Sequence, residues 1–153
     1  MILTIIAIDK LKKTAPEQTL IDAYIKQSGW KIKIIELEAK KGLTGAARKA
    51  EESRLLLEHV PQGARVVVLD ERGETMFSKE FASRLIRWQD NGAKDVVFLI
   101  GGAEGHTDAL RDRADLLLSF GKMTLPHLLM RVVLTEQLYR AYTISIGHPY
   151  HKD

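Results

Sequence analysis

His127, Arg131, Glu136 and Arg140 lie in one stretch, SFGKMTLPHLLMRVVLTEQLYRA (residues 119–141), that otherwise reads as a helix built for burial. An imidazole can take and give a proton near neutral pH. A guanidinium presents paired donors to carboxylates, phosphates and carbonyls. His127 and Arg131 are four apart and share a helical face, one turn from each other. Arg140 stands on another side, above Glu136 at the same spacing. Each pair also has a plain structural reading. Glu136 and Arg140 would stabilise a helix by about 0.2–0.5 kcal/mol, and His127 would simply close the helix start. Leu128, Leu129, Met130, Val132, Val133, Leu134, Leu138 and Ala141 fall nearly all the way round the helical wheel. A helix apolar on every side packs against more than its own core. A symmetric copy of the chain is the simplest second surface, so a homodimer built on this helix is expected, with the charged groups lining the cleft it creates.

Three glycine-containing segments accompany that helix: LDERG, IGGAEG and SFGKMTLP. Each follows a segment that reads as a strand, and ligands of open α/β sheets bind beyond the carboxyl ends of strands. Glycine lets backbone approach a ligand closely. GGAEG is neither a dinucleotide fingerprint nor a phosphate-binding P-loop, so a plain strand-to-helix turn stands beside the ligand reading. SFGKMTLP offers main-chain groups, hydroxyls and one lysine, which would suit an adenine or a ribose. The tail HPYH pairs His148 with His151, but it has no third ligand nearby and Pro149 interrupts any helix, so no metal is expected. Lys10, Lys12, Lys13, Lys31, Lys33, Lys40 and Lys41 gather in the N-terminal third. They read as solvated residues that could form a weak phosphate-binding surface.

The elements that must position these residues alternate. Apolar runs at residues 2–8, 65–70, 95–102 and 115–120, the first three β-branched, with a more alternating run at 31–38, read as five strands. Between them lie helical segments that open at Pro16, at Thr44 as an N-cap (to residue 59), at Ser78 as a cap (to about residue 90) and around residues 107–113. The last helix runs from about residue 126 to 144. This order predicts a single α/β domain over residues 1–153, an α/β sandwich around a mostly parallel sheet. The chain has 153 residues, 45% hydrophobic and 28% charged, which suits one globular domain without staples. It contains no cysteine, which excludes disulfides, thiolate zinc sites and a cysteine nucleophile. The net charge of +3 is a weak pull toward polyanions. The first apolar run is short and lacks a basic leader, so a soluble cytoplasmic protein with no membrane partner is expected.

LIGGAEG, LSFGKMTLPHLLMRVVLTEQLYRAYTI and HPYHK closely resemble the RlmH family, bacterial SPOUT-class methyltransferases of ribosomal RNA. The resemblance covers the whole chain in length and element order, and its motifs lie between residues 69 and 152. It implies S-adenosyl-L-methionine as cofactor, a homodimer, and methylation of N3 of a pseudouridine in 23S ribosomal RNA on assembled ribosomes. It also implies a deep trefoil knot in the C-terminal part, which connectivity rules alone would not suggest. The implied cofactor contacts are Leu69, Gly101 and the run Phe120, Gly121, Lys122, Met123, Thr124 and Leu125, with Gly102 and Gly105 in the same GGAEG loop. His127, Arg131, Arg140, Tyr150 and His151 match positions that the family keeps near substrate or cofactor. Two departures stand out: Asp9 where the family often has glycine, and Ala103 where proline is common. A non-catalytic RNA-binding or assembly factor of the same fold is the alternative. A Rossmann-type nucleotide enzyme is disfavoured by the missing G-x-G-x-x-G.

Overall fold

A computed structural model describes residues 1–152. Asp153, the last residue of the expected domain, lies outside the described residues. Strands and helices alternate without exception: β1 Ile2–Ile8, α1 Pro16–Gln27, β2 Lys31–Leu37, α2 Gly45–Glu58, β3 Arg65–Glu74, α3 Ser78–Asp90, β4 Asp95–Ile100, α4 Asp108–Arg113, β5 Leu116–Leu118 and α5 His127–Ser145. The five strands form one parallel sheet in the order β2-β1-β4-β3-β5.

The near-continuous apolar strands are explained by burial on both sheet faces. Successive side chains point to opposite faces. Leu3, Ile5, Ala7, Val67, Val96 and Phe98 therefore pack on one side, against Phe81 and Leu85 of α3 and Leu134, Leu138 and Ala141 of α5. Ile6, Ile8, Val66, Val68, Val97 and Leu99 pack on the other, with Leu56 of α2 and Leu110 of α4. The first layer thus holds α1, α5 and α3, and the second holds α2 and α4.

Helix α5 lies between α1 and α3, and this changes the meaning of its apolar circumference. Val132 meets Ile21 of α1, and the Tyr139 ring stands 5.8 Å from that of Tyr24. On the other flank, the Ser78 hydroxyl donates to Gln137 Oε1 at 2.8 Å. The sheet and two neighbouring helices of the same chain cover most of the helix. Only a strip containing Leu129 and the half-buried Val133, Glu136 and Arg140 looks outward.

Several boundaries differ from the sequence reading. β3 continues past Asp70 to Glu74, and both Leu69 and Glu74 pair with Leu118 across a register shift. Gly73 makes this possible, because a Cβ there would sit 2.5 Å from the Leu117 carbonyl oxygen. Ser78 is the first residue of α3 and not its cap; the Phe77 N–H donates to Glu80 Oε2 at 2.7 Å instead. Thr44 occupies the cap position of α2 without a side-chain cap bond. Strands β2, β4 and β5 are each trimmed by one or more residues. The seven lysines named above are exposed. Lys31 and Lys33 among them lie on the edge strand β2, where charge discourages pairing with another chain.

One of the two most deeply buried charges ties this layer to the sheet. Arg131 of α5 is 1% exposed. It donates to Glu36 Oε2 at 2.6 Å, to the Asp9 carbonyl at 2.9 Å and to the Ile8 carbonyl at 3.4 Å. Arg131→Ala leaves those acceptors without their cation and should cost about 3–5 kcal/mol, measured by urea denaturation. Glu36→Gln, at a partly solvated position, should cost about 1–2 kcal/mol.

Candidate functional site

The sheet order places β4, β3 and β5 side by side, so the loops after β4 and β5 and the last residues of β3 past its register shift share one edge. There they surround a cleft of about 360 Å³, within the range of small-molecule sites. Of the sequence candidates, Leu69, Gly101, Gly102, Gly105, Phe120, Gly121, Met123, Thr124 and Leu125 line it, with His127 and Met130 from the start of α5. Lys122 is exposed and does not line it. Glycine is required by contact at two points. A Cβ on Gly101 would lie 2.7 Å from His106 Cε1, and one on Gly102 would lie 2.9 Å from Glu52 Oε1. The β5 loop is closed on itself, since the Ser119 hydroxyl donates to the Gly121 carbonyl at 3.0 Å and accepts from its N–H at 3.1 Å.

Three residues of the cleft wall escaped the sequence reading. His106, 3% exposed, makes a 2.9 Å bond from Nε2 to the Leu69 carbonyl. A carbonyl only accepts, so Nε2 carries the hydrogen and Nδ1 holds a lone pair. That buried Nδ1 has no protein partner. Burial lowers the pKa of His106, outweighing the opposing pull of the Leu69 carbonyl and Asp70, so the ring stays neutral. Asp70 and Arg111 form an ion pair at 2.8 Å on the same wall. Burial alone would raise the Asp70 carboxyl, but the Arg72 backbone N–H and the Arg111 guanidinium hold it below its usual value. Each partner is unremarkable in sequence, being a single polar residue next to a strand or on a short helix. The one available signal was a histidine directly after the glycine loop.

The other sequence candidates separate into two groups. At the start of α5, His127 Nε2 lies 2.8 Å from Asp9 Oδ2. Arg131 points to the ends of β1 and β2, and its contacts are those of a structural tie. Arg140, Tyr150 and His151 assemble elsewhere. Arg140 bonds Glu136 Oε1 through Nη2 at 2.6 Å and through Nε at 3.1 Å, and reaches His151 Nδ1 at 3.1 Å. The Tyr150 hydroxyl donates to Glu136 Oε1 at 2.9 Å, with its ring 4.8 Å from the Arg140 guanidinium and 4.7 Å from Tyr139. The bond to Glu136 raises the Arg140 pKa; burial, and then the same carboxylate, push the Tyr150 phenol up. His127 and Arg140 are separated by about 20 Å of helix, at 1.5 Å per residue. One chain therefore brings His127 to the cleft and leaves Arg140, Tyr150 and His151 away from it.

The His106 environment sets a pH dependence. Its folded pKa lies below its unfolded value, near 6.5, so the unfolded chain takes up the proton first. This contribution to stability is intact above about pH 6.5 and is lost as pH falls toward the folded value, by at most about 1.4 kcal/mol per pH unit. Urea denaturation at pH 7.5 and 5.5 should show the loss, and His106→Leu should narrow the gap.

Among the described residues, no helix is long and apolar enough to cross a membrane. The family model described as "Predicted SPOUT methyltransferase" matches residues 1–151. The chain is 52% identical over 152 residues to "Ribosomal RNA large subunit methyltransferase H" of Paramagnetospirillum magneticum, covering 99% of both chains. It is 47% identical over 140 residues to the protein of the same name from Rhodospirillum centenum, covering 92% of both. To that of Bartonella henselae it is 44% identical over 160 residues, covering 99% of both. With a parallel five-stranded sheet, a glycine-walled cleft at its carboxyl edge and a match over nearly its whole length, the chain belongs to the SPOUT methyltransferase family.

Proposed function

We propose that this protein transfers a methyl group from S-adenosyl-L-methionine to N3 of a pseudouridine in 23S ribosomal RNA on assembled ribosomes, acting in the cytoplasm as a homodimer without a metal. The observation that carries the reading is the convergence of two glycine-containing loops and the end of β3 on one cleft with His127 at its edge. The relatives' names supply ribosomal RNA of the large subunit as the substrate class.

The cleft suits the cofactor. Gly101 and Gly102 line it without side chains, so a ligand would meet backbone there. Phe120, Leu125 and Met130 offer apolar surface for a purine, and His106 Nδ1 is an unpartnered acceptor in the wall. When bound, S-adenosyl-L-methionine supplies a methyl group already activated on a sulfonium. The protein's share is then mainly alignment, which supplies roughly 7–11 kcal/mol in well-oriented systems. A general base adds about 10²–10⁴-fold. In this reading His127 would take the N3 proton, and Arg140 would hold a phosphate or the base carbonyls. The trefoil knot implied by the resemblance belongs to the same proposal.

A second copy of the chain reconciles the two separated groups. Leu129 is 43% exposed, Phe77 79% and Met123 87%. Beside them, Met76, Phe120 and Val133 line a second, partly apolar groove. Docking two copies across this strip would set the Arg140–Tyr150–His151 cluster of one beside the cleft of the other.

Two measurements test the reading. Gly101→Val should weaken S-adenosyl-L-methionine binding at least about tenfold, since a side chain there collides with His106; unchanged affinity by titration calorimetry in a folded variant would remove the cofactor from this cleft. For the shared site, deletion from Pro149 onward should cut methyl incorporation into ribosomes from a strain lacking the enzyme by about tenfold, roughly 1.4 kcal/mol in barrier. Mixing that chain with His127→Ala should restore activity, because half of the mixed dimers' sites are intact. A mixture no more active than its components argues for sites complete within one chain.

A further inference from the structure

Among the described residues, Asp9 is the one non-glycine residue with positive φ, 75°. Most side chains are strained in that region; aspartate tolerates it better than most, and glycine adopts it freely. The backbone work of the position could be done by glycine as well. The Asp9 N–H donates to the Leu37 carbonyl at 2.8 Å, and the Asp9 carbonyl accepts from Arg131 at 2.9 Å. What aspartate adds is a carboxylate, and the structure gives that carboxylate two neighbours. Arg48 on α2 is 4.0 Å away and its side chain is 42% exposed, a distance and setting in which an ion pair contributes little. Arg48 is also bonded to the buried Glu52 at 3.2 Å. The remaining neighbour is His127, whose Nε2 is 2.8 Å from Asp9 Oδ2.

We propose that Asp9 is a positioning residue for methyl transfer: its carboxylate, presented from the left-handed turn after β1, holds the His127 imidazole at the edge of the cleft through Nε2. The inference rests on the reading of the cleft given above. An ionised carboxylate only accepts hydrogen bonds, so Nε2 carries a hydrogen and the neutral ring keeps its lone pair on Nδ1. That assigns the nitrogen that takes up a substrate proton and restricts rotation of the ring. The clamp behind Asp9 makes the arrangement rigid. Arg131 fixes the Asp9 carbonyl while Glu36 accepts from both Arg131 and the Leu11 N–H, so the turn cannot swing away without breaking partly buried bonds. Asp9 acts through His127 and touches neither substrate nor cofactor.

A double-mutant cycle tests this, using wild type, Asp9→Gly, His127→Ala and the double variant as full chains, with methyl incorporation into ribosomes as the readout. Asp9→Gly should lower kcat about tenfold with KM and S-adenosyl-L-methionine affinity within about twofold, the signature of an interaction used in the transition state. Its melting temperature should equal or exceed that of wild type, because glycine suits the left-handed turn. Asp9→Asn, which keeps an acceptor oxygen, should recover most of the lost rate. In the His127→Ala background, followed over long incubations, Asp9→Gly should change kcat by less than about twofold. Wild-type kcat in Asp9→Gly overturns the proposal, as does a tenfold loss that persists without His127. A wild-type chain that binds the cofactor and methylates no ribosome overturns the methyl-transfer reading, and this one with it.

Discussion

The end of β1 presents acceptors that the sheet no longer pairs, and Arg131 answers them. The Ile8 and Asp9 carbonyls receive a guanidinium that reaches across from α5, and Glu36 at the end of β2 balances its charge. A cation 1% exposed is tolerable only when its donors are taken up. Nη1 and Nη2 are satisfied, while Nε alone has no partner. The consequence reaches well beyond one ion pair. Arg131 sits one turn after His127, so anchoring it sets where α5 begins. Where α5 begins sets where the loop 119–126 must cross the sheet edge, and this loop is one wall of the cleft. The charged groups on the helix with the greatest need for burial are therefore part of how it is buried.

The same anchor explains why α5 is apolar nearly all the way round within a single chain. It rests on the sheet through Leu134, Leu138 and Ala141, on α1 through Val132 and Tyr139, and beside α3 through Gln137. Wheel arithmetic counts apolar positions but not how many neighbours share the layer, and a middle helix in a layer of three uses three sides internally. What remains outside is a strip, with Leu129 at one end and Arg140 toward the other. The case for a partner therefore rests on exposed Phe77, Met123 and Leu129, and on the separation of the two polar groups.

The legible parts of the fold were those dictated by local pattern. β1, β3 and β4 announce themselves as β-branched apolar runs, because both of their faces are covered. The three cleft-side segments were visible through their glycines, and nearly all of the residues named in them line the cleft. What was not legible depended on contacts distant in sequence. The extension of β3 to Glu74 is decided by how Gly73 meets the backbone of β5, more than forty residues on. The place of Ser78 beside Gln137 is a contact between helices, so its hydroxyl was misread as a cap. His106 became important through a carbonyl thirty-seven residues earlier in the chain. Arg131 was named for its chemistry and is present for its geometry, since spacing along a helix says which residues share a face and not whether that face meets a ligand or a strand end.

The tail was the least predictable element, because a short polar segment after a last helix ordinarily frays. Here it is held within the single chain. The His148 N–H donates to the Thr143 carbonyl at 2.9 Å, and the Tyr150 N–H donates to His148 Nδ1 at 3.1 Å. Tyr150 is then set between the Tyr139 ring and the Arg140 guanidinium, with its hydroxyl on Glu136. Glu136 is the hub, since one of its oxygens accepts from both Arg140 and Tyr150 while the other accepts from Gln137. Ordering a flexible tail at the moment of association would draw on the binding free energy, whereas a tail already packed on its own helix avoids most of that cost. In the proposed dimer, two copies would then dock largely as rigid bodies. The i, i+4 pair that looked like a minor helix stabiliser is thus the fixture that holds an aromatic ring and a guanidinium ready on the outward strip of α5.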